Sequence, residues 1–148
     1  MTNSPFNTEF EISLRILLLL SLENGISANR ISAIDFISTY GKDFNVSKSD
    51  LNGTSFYRAA EYANRKKLVN SAIKRLVLKN MIHPQKSESG FVYFISNRGN
   101  VVAARFQSDY SVDYINSCKR TKTLLSDNKT DVALERLINS KAKASSNI

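Results

Sequence analysis

A single cysteine, Cys118, and a single histidine, His83, stand in a chain of 148 residues. One thiol excludes an internal disulfide framework and any multi-cysteine zinc site, and it makes a reducing, cytoplasmic compartment the expected setting. His83 lies beside Pro84 at an expected turn and has no second imidazole with which to share a metal, so a surface or capping role is expected for it. A phosphate loop is also missing. Gly41-Lys42 has the right ending, but Phe36 stands where the first glycine is required and Asp43 replaces the hydroxyl residue. Asp35 sits among Ile34, Phe36 and Ile37, where a carboxylate is costly to bury unless paired. The expected role is capping, or pairing with Arg30 or a lysine, rather than membership of an acid–base couple. With no activated nucleophile, carboxylate pair or ligand cluster, the chain is expected to be no enzyme, with no catalytic residue, no metal and no cofactor.

Long uninterrupted apolar runs are lacking as well. Residues 16–20 look membrane-like, but the segment 10–22 is broken by Glu11, Ser13, Arg15 and Ser21. It falls short of the ~20 residues needed to span a bilayer. A buried core helix is the expectation. Acidic Glu9 and Glu11 precede this run where a secretory signal would carry a basic leader, so no such signal is expected. The chain has no internal repeat and no low-complexity tract.

Positive charge, by contrast, is abundant and unevenly placed. The formal net charge is +8; residues 1–60 carry five Lys/Arg against six Asp/Glu, and residues 61–148 carry sixteen against seven. A basic field of this kind favours an acidic partner, either nucleic acid or the acidic face of another protein.

The basic half begins with a pattern that predicts a winged helix-turn-helix. From Asn64, which can cap the start, Leu68, Val69, Ala72, Ile73 and Leu76 recur on one helical face, with Lys66, Lys67, Asn70, Ser71, Lys74 and Arg75 on the other. The helix should end by His83-Pro84. A strand at 91–95 is bounded by Gly90 and by the turn residues 97–100; its partner should lie at 82–86, with 87–90 as the wing tip. Upstream, Thr8 and Glu11 form a capping-box pattern, Asn24-Gly25 stops the first helix, and Ser27 starts a second that ends at Gly41. A polar connection at 42–54 is anchored by Phe44, Val46 and Leu51, and a short third helix follows at 55–63. Downstream, helices are expected at 101–106 and 112–125, broken at Ser108-Asp109, and at 130–141. The predicted class is therefore mainly α with a small β-hairpin: residues 1–7 a flexible leader, 8–125 a winged-helix domain with a helical extension, and 126–148 a C-terminal helix and frayed tail.

Lys66, Lys67, Lys74 and Arg75, extended by Lys79, Lys86 and Arg98 at the wing, form the candidate DNA-binding surface. Lysines so placed would contact phosphates of double-stranded DNA without reading sequence. The other reading is an ordinary solvated helix face, since the segment lacks a base-reading set of Arg, Asn and Gln.

Taken together, the sequence resembles the small middle component of bacterial ABC-three-component defence systems, of the group that includes the small subunit of Lamassu-type anti-phage complexes. The resemblance spans residues 9–114. It is carried by Ala33, Ile34, Asp35, Phe36 and Ile37 with Tyr40-Gly41 and Phe44; by Leu51 and Gly53; by Arg65, Leu68, Val69, Ala72 and Leu76; and by Gly90, Tyr93, Gly99, Ser108 and Tyr110. It implies a non-catalytic bridging or regulatory subunit held with an SMC- or Rad50-like ABC ATPase and an effector nuclease. On that reading the apolar first helix and the anchored 42–54 loop would be covered by partners, giving Leu18, Leu22, Phe44, Leu51 and Tyr93 as candidate interface residues. The alternative is a free-standing winged-helix DNA-binding transcriptional regulator, which would normally dimerise on a palindrome.

Overall fold

The computed structural model describes residues 8–40, 58–126, 133–134 and 136–138. The chain is mainly helical, with a small antiparallel sheet. Its elements run α1 (Glu9–Leu22), β1 (Ile26–Ser27), α2 (Ala28–Thr39), α3 (Arg58–Leu78), β2 (Ile82–Ser87), β3 (Gly90–Ile95), α4 (Asn97–Arg105) and α5 (Asp109–Leu124). The expected leader at 1–7, the loop at 42–54 and most of the last helix lie outside the described residues.

The first helix is the hub, and its composition explains why. Thr8 caps it by accepting from the Glu11 N–H, and Ile12, Ile16, Leu17, Leu18, Leu19 and Leu20 are all buried. A helix that is apolar nearly all round needs cover on every side. Here the chain supplies it, with α2, α3, α4 and α5 packed around α1. Leu18 is thus a core residue rather than part of a partner surface, and Leu22 is half-buried against the same core. After α1, Gly25 takes a φ of +73° and lies so close to the Phe94 ring that a Cβ would come within 3.0 Å of it. That tight turn lets the Gly25 N–H donate to the Tyr93 carbonyl and starts β1, a two-residue strand too short to announce itself in sequence.

Ser27 caps α2 as expected, accepting from the Arg30 N–H. In α3 the expectation of two helices meeting at Asn64 is wrong: Arg58–Leu78 is a single helix. The buried phase explains this, since Tyr62, Arg65, Val69, Ala72, Ile73 and Leu76 form one uninterrupted inward face, and Asn64 points to solvent without interrupting it. The helix ends before His83-Pro84, as expected. Asn80 adopts φ 60°, its N–H donates to the Val77 carbonyl, and the Met81 N–H donates to Leu76. This is a Schellman stop with asparagine in the left-handed position.

The hairpin matches expectation closely. β2 and β3 pair antiparallel from Ile82↔Ile95 to Ser87↔Gly90, and β1 adds to the other side of β3, giving the order β1-β3-β2. Residues 97–100, read as a turn, instead form the first turn of α4. Ser96 caps it through the Gly99 N–H, and a side chain at Gly99 would drive a Cβ to 2.2 Å from the Met81 carbonyl oxygen. A capping box of Ser108 and Ser111 starts α5 at Asp109, three residues before the expected start.

Candidate functional site

Four helices converge on one carboxylate. Asp35 of α2, fully buried, accepts from Arg15 of α1 at Nε (2.8 Å) and Nη2 (3.2 Å), from Arg65 Nη1 of α3 (2.7 Å), and from the Tyr114 hydroxyl of α5 (2.7 Å). Asp35 therefore pairs with neither Arg30 nor a lysine. Arg30 instead reaches Glu23 at 3.5 Å. The physical reason lies in helical phase: Asp35 faces inward, where Arg15 and Arg65 are equally buried and, among the described residues, no lysine is buried with them.

Further polar and aromatic contacts surround this ion cluster. Arg65 Nη1 also donates to Thr39 Oγ1 at 3.0 Å, and its guanidinium lies 5.6 Å from the ring centroids of both Phe36 and Tyr40. The Tyr40 hydroxyl donates to Glu61, one turn before Arg65. Aromatic faces accommodate cationic charge that a single carboxylate cannot fully offset. Further along the α2–α5 contact, Ser117 Oγ donates to the Ser38 carbonyl (2.8 Å), and Ser38 and Thr121 hydroxyls share a 2.9 Å bond beside buried Cys118.

These groups have strongly perturbed acidities. Burial alone would raise Asp35, but Arg15 and then Arg65 outweigh it and hold the carboxyl at about 2. Burial pushes the Cys118 thiol up to about 12. Burial, and next the Asp35 charge, raise the Tyr114 phenol well above its ordinary value. Perturbed groups often mark active sites. Here each is sealed from solvent and bonded to its neighbours, so at neutral pH Asp35 is a fixed anion and Cys118 an inert thiol. The arrangement is architectural: it fixes how four helices meet. Asp35, Phe36, Tyr40, Arg65 and Tyr110, quoted above for the family resemblance, all belong to this cluster. Tyr110 joins it through a 3.5 Å bond from Arg15.

The sequence offered a signal for the cluster that composition alone obscures. Arg15 falls on the phase of Ile12 and Leu19, and Arg65 on the phase of Val69, Ala72 and Leu76. A cation on a buried phase requires a buried anion.

The seven candidate DNA-binding residues are not brought together on one surface. At 100° per residue Lys66 and Arg75 lie about 180° apart around α3. Lys66 is half-buried with its ammonium 4.9 Å from the Tyr62 ring, and Arg75 forms a 2.8 Å ion pair with Glu9 on α1. Arg75 and Lys79 border a cleft of about 170 Å³ between α1, α3 and α4. Lys67 and Lys74 share a different stripe of α3 and are exposed, as are Lys86 on β2 and Arg98 on α4. Lys74 borders a second, larger hollow of about 410 Å³, between the end of α3 and the hairpin, into which Tyr93 also faces. Of the other candidate interface residues, Phe44 and Leu51 lie outside the described residues.

Among the described residues, no helix is long and apolar enough to cross a membrane, and no group of three or more His, Cys, Asp or Glu side chains gathers as a metal site. Fold and site define a mainly helical domain with a small three-stranded sheet, whose buried ionisable groups hold its helices together. The chain belongs to the family described as ABC-three component (ABC-3C) system Middle Component 2, whose model matches residues 5–147. No curated protein and no solved structure matches it.

Proposed function

We propose that this chain is a non-catalytic bridging subunit of a bacterial anti-phage complex, of Lamassu-like type, that also contains an SMC- or Rad50-like ABC ATPase and an effector nuclease. Its membership of the middle-component family over nearly the whole chain is the observation that carries this reading. The use of its ionisable groups supports it: Asp35 is bonded to Tyr114 and the two arginines and Cys118 is buried beside them, leaving these groups without access to a substrate. The fold we assign is a winged helix extended by α4 and α5. The order helix, strand, helix, helix, hairpin and the pairing of β1 onto β3 support that assignment.

The direct test is co-expression with a coiled-coil ABC ATPase and an effector sought among the neighbouring genes. A single complex on a sizing column at physiological salt, and loss of phage protection when only this subunit is deleted, are expected. Elution as a free dimer that binds one palindromic site would instead identify a winged-helix regulator, and turnover abolished by one of its own point mutations would identify an enzyme.

A further inference from the structure

The hollow between α3 and the hairpin has the wrong lining for phosphate. Leu78 is 81% exposed on its α3 side and Phe91 55% exposed on its hairpin side. Ile73, Val77, Pro84 and Tyr93 complete an apolar lining. Such surface gains by leaving water, and apolar side chains offer that gain while a sugar–phosphate backbone does not. Charge is confined to the two edges. Lys74 stands on the helix side, and Lys86 lies two residues beyond Pro84 on the same face of β2, opposite Phe91 in register. Among the described residues, no carboxylate lines the groove.

We propose that this groove is the docking site for an acidic amphipathic segment of another component of the assembly. This inference deepens the bridging reading and rests on it. An apolar channel between two ammonium groups is complementary to a helix or strand that is apolar along one side and carries carboxylates at its edges. Leu78 and Phe91 supply the anchoring contacts, which govern how slowly the partner leaves. Lys74 and Lys86 fix its orientation and make association sensitive to salt. The cleft holding Arg75 and Lys79 does not share this character, because Glu9 already occupies Arg75.

The test uses the full-length protein co-expressed with the cognate ATPase and effector. Leu78→Ser combined with Phe91→Ser removes the anchors, and Lys74→Glu combined with Lys86→Glu reverses the edges. Both apolar side chains are exposed, so the double-serine variant should melt with the wild type; Leu78→Gln alone serves if it does not. Recovery of the partner component should fall about tenfold or more with the serines. It should also fall with the glutamates, while retention of a short random-sequence DNA duplex by the serine variant is unchanged. Wild-type recovery with both variants would overturn the docking site and leave the bridging reading standing. Wild-type protein that joins neither component would overturn both. A shift from dimer to monomer in the serine variant would overturn the proposal by making a second copy the occupant. Lost duplex binding with full partner recovery would overturn it by giving the groove to DNA.

Discussion

The two ends of α3 show opposite placements of charge and grease. Toward its start, Arg65 is buried against Asp35 and Arg15; toward its end, Leu78 stands in water beside a groove edged by lysine. Both are departures from the usual partition, and each has its own explanation. An internal ion cluster adds little net stability over a well-packed apolar core, but it penalises any arrangement of helices that leaves one member unpaired. An external apolar groove has no internal explanation and points outward, to a partner. One end of the helix thus specifies the fold, and the other is available for assembly.

Removing the shared anion should have the largest effect. Asp35→Ala leaves two guanidiniums buried without their carboxylate, and a loss of about 3–5 kcal/mol is expected. Against a typical stability of about 5–15 kcal/mol this brings the chain near unfolding, measurable by urea denaturation or as loss of soluble protein. Tyr114→Phe removes one charge-assisted bond to Asp35 and should cost about 1.5–3 kcal/mol. A Tyr114→Phe variant as stable as wild type would show that Asp35 is held by the arginines alone.

The pH dependence follows from the same groups. Asp35 is lowered from 3.8 to about 2 in the fold, so its contribution, on the order of 2 kcal/mol, is complete above about pH 4 and lost as pH falls toward 2. Cys118 is raised from 9.0 to about 12, and Tyr114 is raised as well. Their contributions are complete below pH 9 and lost as pH rises toward 12. A stability profile from pH 2 to 12 should therefore decline at both ends, and Cys118→Ala should flatten the alkaline side. The smallest effect belongs to the groove: Leu78→Ser should alter stability by no more than about 0.5 kcal/mol, since the side chain is exposed.

Much of the local architecture was legible because its signals are short-range. The Thr8 and Ser27 caps, the 87–90 turn of the hairpin and the break at Ser108 each depend on residues within four positions of one another. The errors arose where distant contacts decide. Asn64 reads as a cap, yet the buried face from Tyr62 to Leu76 carries the helix through it. The residues 97–100 read as a turn, yet Gly99 serves close contact with Met81 inside a helix. Leu18 reads as surplus apolar surface until the other helices are packed around α1. At the site, the pairing of Asp35 was foreseen but its partners were not, because Arg15 and Arg65 lie twenty and thirty residues away. The groove combines two elements distant in sequence, and only Tyr93, Lys74 and Lys86 among its members stood out beforehand.

Hydrogen exchange, measured on the free protein and on the co-purified complex, tests both ends of α3 at once. Amides at 62–69, beside the ion cluster, should exchange slowly in both states, and those at 73–78 and 84–93 should gain protection only in the complex. Rapid exchange at 62–69 in the free protein, or no gain at 73–78 and 84–93 on assembly, would contradict the division of α3 into a fold-specifying end and a docking end.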